Sequence, residues 1–185
     1  MNTETVSNYP DARTALAAKT RLVPDFPSEG IVFQDLTPVL ADGAAFRTIV
    51  TEMAQVCSVF DVDVVAGLDA RGFLLGSAVA LELGVGVLAL RKAGKLPPPV
   101  LRQEYDLEYG TAALEIPSEG LDLRGRRVLL VDDVLATGGT LVAARSLLED
   151  AGAQIAGVAV ALEVQELEGA KRLGDLPLYV VSREQ

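Results

Sequence analysis

A buried strand that runs directly into a glycine-rich turn constrains the fold of this chain more than any other feature. Residues 127–140 read RVLLVDDVLATGGT. The apolar run 128–131 is typical of a central strand in a parallel sheet, and Asp132 and Asp133 follow it. Open parallel sheets bind ligands at the carboxyl ends of their strands. The small and hydroxyl residues of 136–140 precede a predicted helix, so backbone N–H groups there can surround an anion.

Two other interpretations fit parts of this segment. A core strand with exposed carboxylates and an ordinary glycine-rich turn explains its composition. The acidic pair alone also suits the magnesium pocket of a receiver domain, but such a domain gives no reason for ATGGT at the start of a helix. The complete segment therefore favours an anion-binding turn beside two acids.

The flanking segments predict an α/β fold with a central, mainly parallel sheet flanked by helices. Apolar strands at 61–68 and 85–90 enclose a helix at 73–84, and the three form a βαβ unit. The other elements predicted here are strands at 111–116, 127–134, 154–164 and 177–181 and a helix at 139–152.

Two segments fall outside this pattern. Helices at 11–22 and about 43–60 flank a proline- and glycine-rich stretch, which makes about 1–40 a small N-terminal subregion. Residues 93–110 combine glycine, a proline triplet and several charges without apolar alternation, which predicts a long mobile loop. The chain length favours a single domain, 1–185, around one core.

The composition excludes several classes of function. A net charge of −10 argues against nucleic-acid partners, which select for basic surfaces. No apolar run approaches the length of a membrane span, and the N-terminus lacks the pattern of a secretory signal, so we expect a cytoplasmic protein without membrane partners. The chain has no histidine and one cysteine, Cys57, so catalysis must use carboxylates, cations and backbone groups.

A second strand-to-helix turn, AGLDARGFLLG at 66–76, presents Asp69, Ala70 and Arg71 at its tip. Three cations cluster after the next predicted strand: Arg91, Lys92 and Lys95. They are either solvated surface charges or the counter-charges of an anionic ligand. Their position at a strand end beside two anion-binding turns favours the second interpretation.

The residues 128–140 resemble the signature of type I phosphoribosyltransferases throughout their length. The resemblance implies that fold, with Asp132 and Asp133 on ribose and a loop around the 5′-phosphate. The loop residues are Ala136, Thr137, Gly138, Gly139 and Thr140. The turn at 69–72 is similar to the pyrophosphate loop of the same family, which implies a cis peptide bond between Asp69 and Ala70. The pyrophosphate-binding residues implied are Asp69, Ala70, Arg71, Arg91, Lys92 and Lys95, together with Tyr109.

Two further segments resemble adenine phosphoribosyltransferases specifically. FPSEGIVFQDLTP, 26–38, is similar to a hood that covers the base, which implies adenine contacts from Val32 and Phe33 and from an aliphatic residue, Val164. Gln34 departs from a basic residue often found in that hood, and we assign it no phosphate role.

RKAGKLP at 91–97 and YDLEYG at 105–110 are similar to a flap that closes over the substrate in the same family. The resemblance implies that about 93–110 forms this flap, with Glu108 facing the purine and Tyr109 the pyrophosphate. A simple loop-anchoring role for the tyrosines is the alternative.

The resemblance implies an enzyme that makes AMP and pyrophosphate from adenine and phosphoribosyl pyrophosphate. Magnesium would bridge the pyrophosphate and ribose hydroxyls, held mostly by substrate, with Asp132 and Asp133 at most reaching it through water. These two acids and Arg71 would stabilise the transition state, and Glu108 would hydrogen-bond the base or move a proton there. The family also implies a homodimer. A xanthine or hypoxanthine-guanine enzyme and a non-catalytic sensor of phosphoribosyl pyrophosphate are the alternatives.

Overall fold

A computed structural model describes residues 9–26, 28–106 and 110–184 of the chain. Two predicted site residues, Glu108 and Tyr109, therefore lie outside the described residues. The chain divides into two compact units, Met1–Glu52 and Met53–Gln185. The segment predicted to form a hood belongs to the first unit.

The N-terminal unit contains a β-hairpin between helices. Its elements are α1 (Ala12–Lys19), β1 (Arg21–Pro24), β2 (Val32–Asp35), α2 (Thr37–Ala41) and most of α3 (Gly43–Cys57). β1 and β2 pair antiparallel. The rings of Phe26 and Phe33 meet edge to face, with centroids 5.2 Å apart. This contact holds Phe33 against the turn that joins the two strands.

α1 begins where the sequence predicts, and it ends earlier. The Asp11 carboxylate accepts a hydrogen bond from the Thr14 N–H at 2.7 Å and caps the helix. The prediction that the helix continues to Leu22 is wrong, because Arg21–Pro24 pairs with β2. Pro24 also disfavours helical backbone at the residue before it. Periodicity did not predict β2 or α2, since each spans only four or five residues.

The second unit is built on a seven-stranded sheet. Its elements are β3 (Val64–Leu68), α4 (Arg71–Leu83), β4 (Gly86–Lys92), β5 (Val100–Asp106), β6 (Thr111–Pro117), β7 (Arg127–Leu135), α5 (Gly139–Asp150), β8 (Gln154–Val164), α6 (Gly169–Arg172) and β9 (Leu178–Glu184). The strand order is β5-β6-β4-β3-β7-β8-β9. In this order the neighbours β4, β3, β7, β8 and β9 are all parallel to one another. β6 pairs antiparallel with both β4 and β5. The predicted mainly parallel α/β fold is confirmed.

The loop predicted at 93–110 contains a strand. β5 pairs with β6 along its whole length, from Val100 opposite Pro117 to Asp106 opposite Thr111. The prediction of a loop is therefore wrong for residues 100–106. β5 lies at the edge of the sheet, and edge strands carry exposed charges in place of clean apolar alternation. The sequence of β5 consequently lacks the alternation that would predict a strand.

The core explains why the site lies where it does. The side chains of 128–131 in β7 are fully buried, so this strand occupies the centre of the sheet as predicted. β3 runs parallel beside it, with Gly67 opposite Val131. The carboxyl ends of β3 and β7 therefore meet at one edge. No helix in the described part of the chain is long and apolar enough to cross a membrane.

Candidate active site

Two strand-to-helix turns meet at the carboxyl edge of β3 and β7. The turn after β3 contains a cis peptide bond between Asp69 and Ala70, as the family resemblance implied. α4 begins at the next residue, Arg71. Glycine allows this helix to approach the sheet closely, because a Cβ on Gly72 would lie 2.7 Å from the Val131 carbonyl oxygen. The start of α4 is therefore fixed against β7.

A cavity of about 490 Å³ opens between these turns. It is lined by Asp69, Ala70, Arg71, Lys92, Tyr105, Ala112, Asp132, Asp133 and Thr140. Seven of these nine residues belong to the site predicted from the sequence, and one of the seven is Thr140 of the predicted phosphate loop. The volume is in the range of small-molecule sites. Cations and carboxylates thus face one space.

An ion pair links the carboxyl end of β7 to the turn after β3. The Arg71 Nε lies 2.5 Å from Oδ2 of Asp133, and the Asp133 side chain is only about 10% exposed. This contact is an ion pair without hydrogen-bond geometry, because Oδ2 has no hydrogen-bond partner among the described residues. Asp132 Oδ1 accepts a hydrogen bond from the Asp133 N–H at 2.9 Å.

The two adjacent acids do not ionise independently. Burial and the neighbouring Asp133 carboxylate raise the pKa of Asp132 well above its ordinary value, and the Arg71 guanidinium opposes that rise. A cationic ligand or a positively charged sugar ring in the cavity would favour the ionised form. The pair is therefore suited to stabilise positive charge.

Asp69 holds the cationic end of β4 at the same cavity. Its Oδ2 accepts a hydrogen bond from Arg91 Nε at 2.9 Å and from the Lys92 N–H at 3.4 Å. Burial acts to raise the pKa of Asp69, but these hydrogen bonds outweigh it and lower the pKa below its ordinary value. The Arg91 guanidinium also lies 5.5 Å from the Phe73 ring centroid. Arg91 is thus anchored, while Lys92 lines the cavity.

The turn at 136–140 forms a separate, smaller concavity of about 70 Å³. Gly138 precedes the first residue of α5 and has a φ of +78°, which glycine adopts without strain. Its surroundings also demand glycine, because a Cβ there would lie 2.7 Å from the Gly169 carbonyl oxygen. All five predicted phosphate-loop residues line this concavity. The N-terminus of α5 adds its partial positive charge.

The other described residues of the predicted site are not among those that line the two concavities. Lys95 is exposed in the connection after β4 and does not line the cavity. Val164 ends β8 and is partly buried. Val32 and Phe33 belong to β2 of the N-terminal unit, where Val32 is 56% exposed. The structure therefore brings together the two turns that were predicted to bind phosphate groups, and the adenine contacts stay predictions.

Three residues near the site were not assigned to it from the sequence. Tyr105 and Ala112 face the cavity from β5 and β6, which pair at these two positions. Arg172 Nη1 donates a hydrogen bond to the Thr137 carbonyl oxygen at 3.3 Å. The position of Tyr105 at the cavity follows from the order of strands in the sheet, which the sequence did not predict. Nothing in the sequence around Arg172 indicates its contact.

The comparison with known proteins decides the family. Residues 40–178 match the family model described as "Phosphoribosyl transferase domain". An adenine phosphoribosyltransferase from Corynebacterium kroppenstedtii is 64% identical over 177 residues, covering 96% of this chain and 97% of that protein. Another, from Corynebacterium glutamicum, is 55% identical over the full length of both. The chain belongs to the adenine phosphoribosyltransferase family.

Solved structures of adenine phosphoribosyltransferases have the same fold. The enzyme from Thermoanaerobacter pseudethanolicus superposes with a TM-score of 0.88 at 40% identity, covering 93% of this chain and 99% of that one. The Saccharomyces cerevisiae enzyme, solved with an imino-altritol bisphosphate and adenine, gives a TM-score of 0.85 at 34% identity, covering 92% and 98%. The type I phosphoribosyltransferase fold implied by the sequence is confirmed.

Proposed function

We propose that this chain is an adenine phosphoribosyltransferase, a pentosyltransferase that converts adenine and phosphoribosyl pyrophosphate into AMP and pyrophosphate. The observation that carries this function is the pair of anion-binding turns on one sheet edge, with two carboxylates between them. A substrate with a phosphate at one end of a ribose and a pyrophosphate at the other suits two such turns with carboxylates between them. The names of the relatives supply the base.

The ribose lies between the turns in this proposal. Its 5′-phosphate binds the N–H groups and hydroxyls of 136–140, and its hydroxyls contact Asp132 and Asp133. Attack of a purine nitrogen on C1 expels pyrophosphate with inversion and passes through a transition state with positive charge on the ring. The carboxylate pair stabilises that charge, which also favours ionisation of Asp132.

The leaving group faces the cationic side of the cavity. Arg71 and Lys92 both line it, and both can neutralise the charge that accumulates on pyrophosphate as the bond to C1 breaks. Arg91, the residue before Lys92, is positioned by its hydrogen bond to Asp69. In this assignment Lys95 contributes from the loop that follows β4, and Tyr109 contributes from the flap.

The donor set also fits magnesium, which prefers oxygen ligands and retains water. Among the described residues no three acidic, histidine or cysteine side chains form a metal cluster. Substrate oxygens would therefore supply most ligands, with Asp132 and Asp133 reaching the ion through water. When bound, magnesium would neutralise charge on the pyrophosphate and ribose oxygens.

The base site remains a prediction from the family resemblance. Main-chain groups at Val32, together with Phe33 and Val164, would contact adenine. Glu108 would hydrogen-bond the base or move a proton there once the flap excludes water. Removing that carboxylate by Glu108→Ala should then lower turnover with adenine, whereas nearly full turnover would remove Glu108 from the mechanism.

A panel of purine bases tests the function directly. With phosphoribosyl pyrophosphate and magnesium, adenine should be converted to AMP, and hypoxanthine, guanine and xanthine should give at most a small fraction of that rate. Preference for an oxopurine would assign the chain to another purine phosphoribosyltransferase. Tight binding of phosphoribosyl pyrophosphate without turnover of any base would indicate a sensor.

We further propose that the enzyme is a cytoplasmic homodimer. Apolar side chains on α4 and β4 are exposed, with Leu74 54%, Leu81 82% and Val87 50% accessible. Large apolar side chains left exposed on neighbouring elements are candidates for an interaction surface. Light scattering should give twice the mass of the chain, and a monomeric mass at micromolar concentration would contradict the dimer.

A further inference from the structure

The turn at 136–140, here called the cradle, has no basic side chain of its own to balance the charge of a bound phosphate. Among the described residues that line it, none is basic, and the one charged side chain is the acidic Asp132. A phosphate ester at neutral pH carries close to two negative charges, whereas a helix N-terminus offers only about half a positive charge. A cation near this turn would therefore strengthen phosphate binding.

Arg172, the last residue of α6, supplies one. Its Nη1 donates to the Thr137 carbonyl oxygen at 3.3 Å, across 35 positions of sequence. The same nitrogen would lie 3.5 Å from a Cβ built on Gly139, the first residue of α5. The guanidinium thus lies beside the helix N-terminus that faces the cradle. It has five N–H donors, of which this contact uses one.

α6 is held against the cradle by backbone contact. A Cβ on Gly169, the first residue of α6, would lie 2.1 Å from the Ala136 carbonyl oxygen and 2.8 Å from the Gly138 nitrogen. Only glycine permits this approach, so the start of α6 and the turn are packed main chain to main chain. Arg172 follows less than one helical turn later. The backbone of Arg172 is consequently held close to the turn, and its exposed side chain reaches the Thr137 carbonyl oxygen from there.

The hydrogen bond also orients a donor. In a trans peptide the C=O and the N–H point in opposite directions. With the Thr137 carbonyl held by Arg172, the N–H of Gly138 points away from the guanidinium. The alternative orientation of this peptide would present an oxygen to the phosphate. Arg172 therefore both fixes one backbone donor and adds positive charge at the turn.

We propose that Arg172 is a positioning residue of the 5′-phosphate subsite. This inference rests on the proposed function, since it concerns the same cradle. It predicts that Arg172→Ala weakens binding of ribose 5-phosphate about tenfold and raises KM for phosphoribosyl pyrophosphate by a similar factor. The value of kcat and the affinity for inorganic pyrophosphate stay near those of the wild type, because the pyrophosphate turn is separate.

Three variants separate charge from simple support of the loop. Arg172→Lys should recover most of the affinity for ribose 5-phosphate, and Arg172→Gln should not. The affinity of the wild type should also fall more steeply with salt than that of Arg172→Ala. Lys171→Ala is the matched control, because Lys171 lies on the same short helix, is exposed and pairs with Glu168. It should behave as wild type.

Titration calorimetry with ribose 5-phosphate and with pyrophosphate, together with steady-state kinetics, decides the outcome. Unchanged ribose 5-phosphate affinity in Arg172→Ala, with a wild type that binds it, would overturn this inference alone. An equal loss of pyrophosphate affinity would indicate general loosening and would also overturn it. A wild type that neither binds ribose 5-phosphate nor makes AMP would overturn both this inference and the proposed function.

Discussion

The turns at 69–72 and 136–140 each connect a parallel strand to a helix at the same sheet edge, yet they are built from different groups. The first presents charged side chains: Arg71 pairs with Asp133, and Asp69 with Arg91. The second has small residues and hydroxyls around the start of α5, and the cation that hydrogen-bonds to it, Arg172, comes from another element.

The proposed chemistry explains the difference. Pyrophosphate gains charge as it leaves, so the first turn needs groups whose interaction strengthens in the transition state. The 5′-phosphate keeps its charge throughout, so the second turn needs only uniform binding, which backbone donors supply together with the proposed contribution of Arg172. Substitutions in the first turn should therefore lower kcat, and those in the second should raise KM.

Arg71→Ala should have the largest effect. It removes a cation that lines the cavity and leaves the buried Asp133 carboxylate without that ion pair. We expect kcat to fall by about 100- to 1000-fold, with a smaller change in KM for phosphoribosyl pyrophosphate. Steady-state kinetics with saturating adenine measures both values.

The matched control is Arg145→Ala, which removes an arginine that pairs with Glu149 on α5. It should change kcat by less than about twofold. If Arg71→Ala raised KM and left kcat unchanged, the two turns would not differ in the way proposed.

Gly138→Ala should affect the second turn through shape alone. The residue has a φ of +78°, and a Cβ would lie 2.7 Å from the Gly169 carbonyl oxygen. Displacement of the turn should raise KM for phosphoribosyl pyrophosphate by about 10- to 100-fold. Affinity for pyrophosphate, measured by calorimetry, should change little.

Gly120→Ala provides the comparison for backbone strain. Gly120 has nearly the same φ, +77°, and nothing lies within 4 Å of a Cβ built there. This variant should lose about 1 kcal/mol of unfolding free energy and keep wild-type kinetics. Equal kinetic effects at the two glycines would show that strain, and not the contact with Gly169, controls the cradle.

Asp132→Asn should increase the stability of the ligand-free protein, whereas the preceding substitutions remove a favourable interaction or introduce strain. The folded protein raises the pKa of Asp132, so it binds the proton more tightly than the unfolded chain does. Stability of the ligand-free wild type therefore falls as pH rises from the ordinary carboxyl value of 3.8 through the raised pKa. Above that range Asp132→Asn should be more stable, by about 1 kcal/mol, although less active.

Thermal unfolding across pH tests this sign. The difference between wild type and Asp132→Asn should shrink as the pH is lowered through the raised pKa, because the wild-type carboxyl becomes neutral there. A wild type that is more stable than the variant at pH 8 would contradict the destabilising role of the acidic pair in the ligand-free protein.

Much of the fold was predictable because its central elements have strong local signals. β7 was predicted from four consecutive apolar residues, and it lies at the centre of the sheet with these residues fully buried. α4 and α5 were predicted close to their observed bounds. β5 was missed because an edge strand has no buried face that would enforce alternation.

The sequence by itself determined the chemistry of the two turns. The acidic pair, Arg71 and the glycines of 136–140 are local features, and a strand followed by a helix brings each group to the sheet edge. Through their resemblance to the family signature these features predicted a phosphoribosyl ligand, and the chain does match the family described as a phosphoribosyl transferase domain.

Only the tertiary structure decided which groups from distant segments meet. The ion pair of Arg71 with Asp133, the contact of Arg91 with Asp69 and the support of Thr137 by Arg172 each join different elements. Such pairs depend on strand order and on glycine-permitted contacts between backbones. Strand order and backbone contacts produce no periodic pattern in the sequence, because these contacts are stabilised by packing between distant segments.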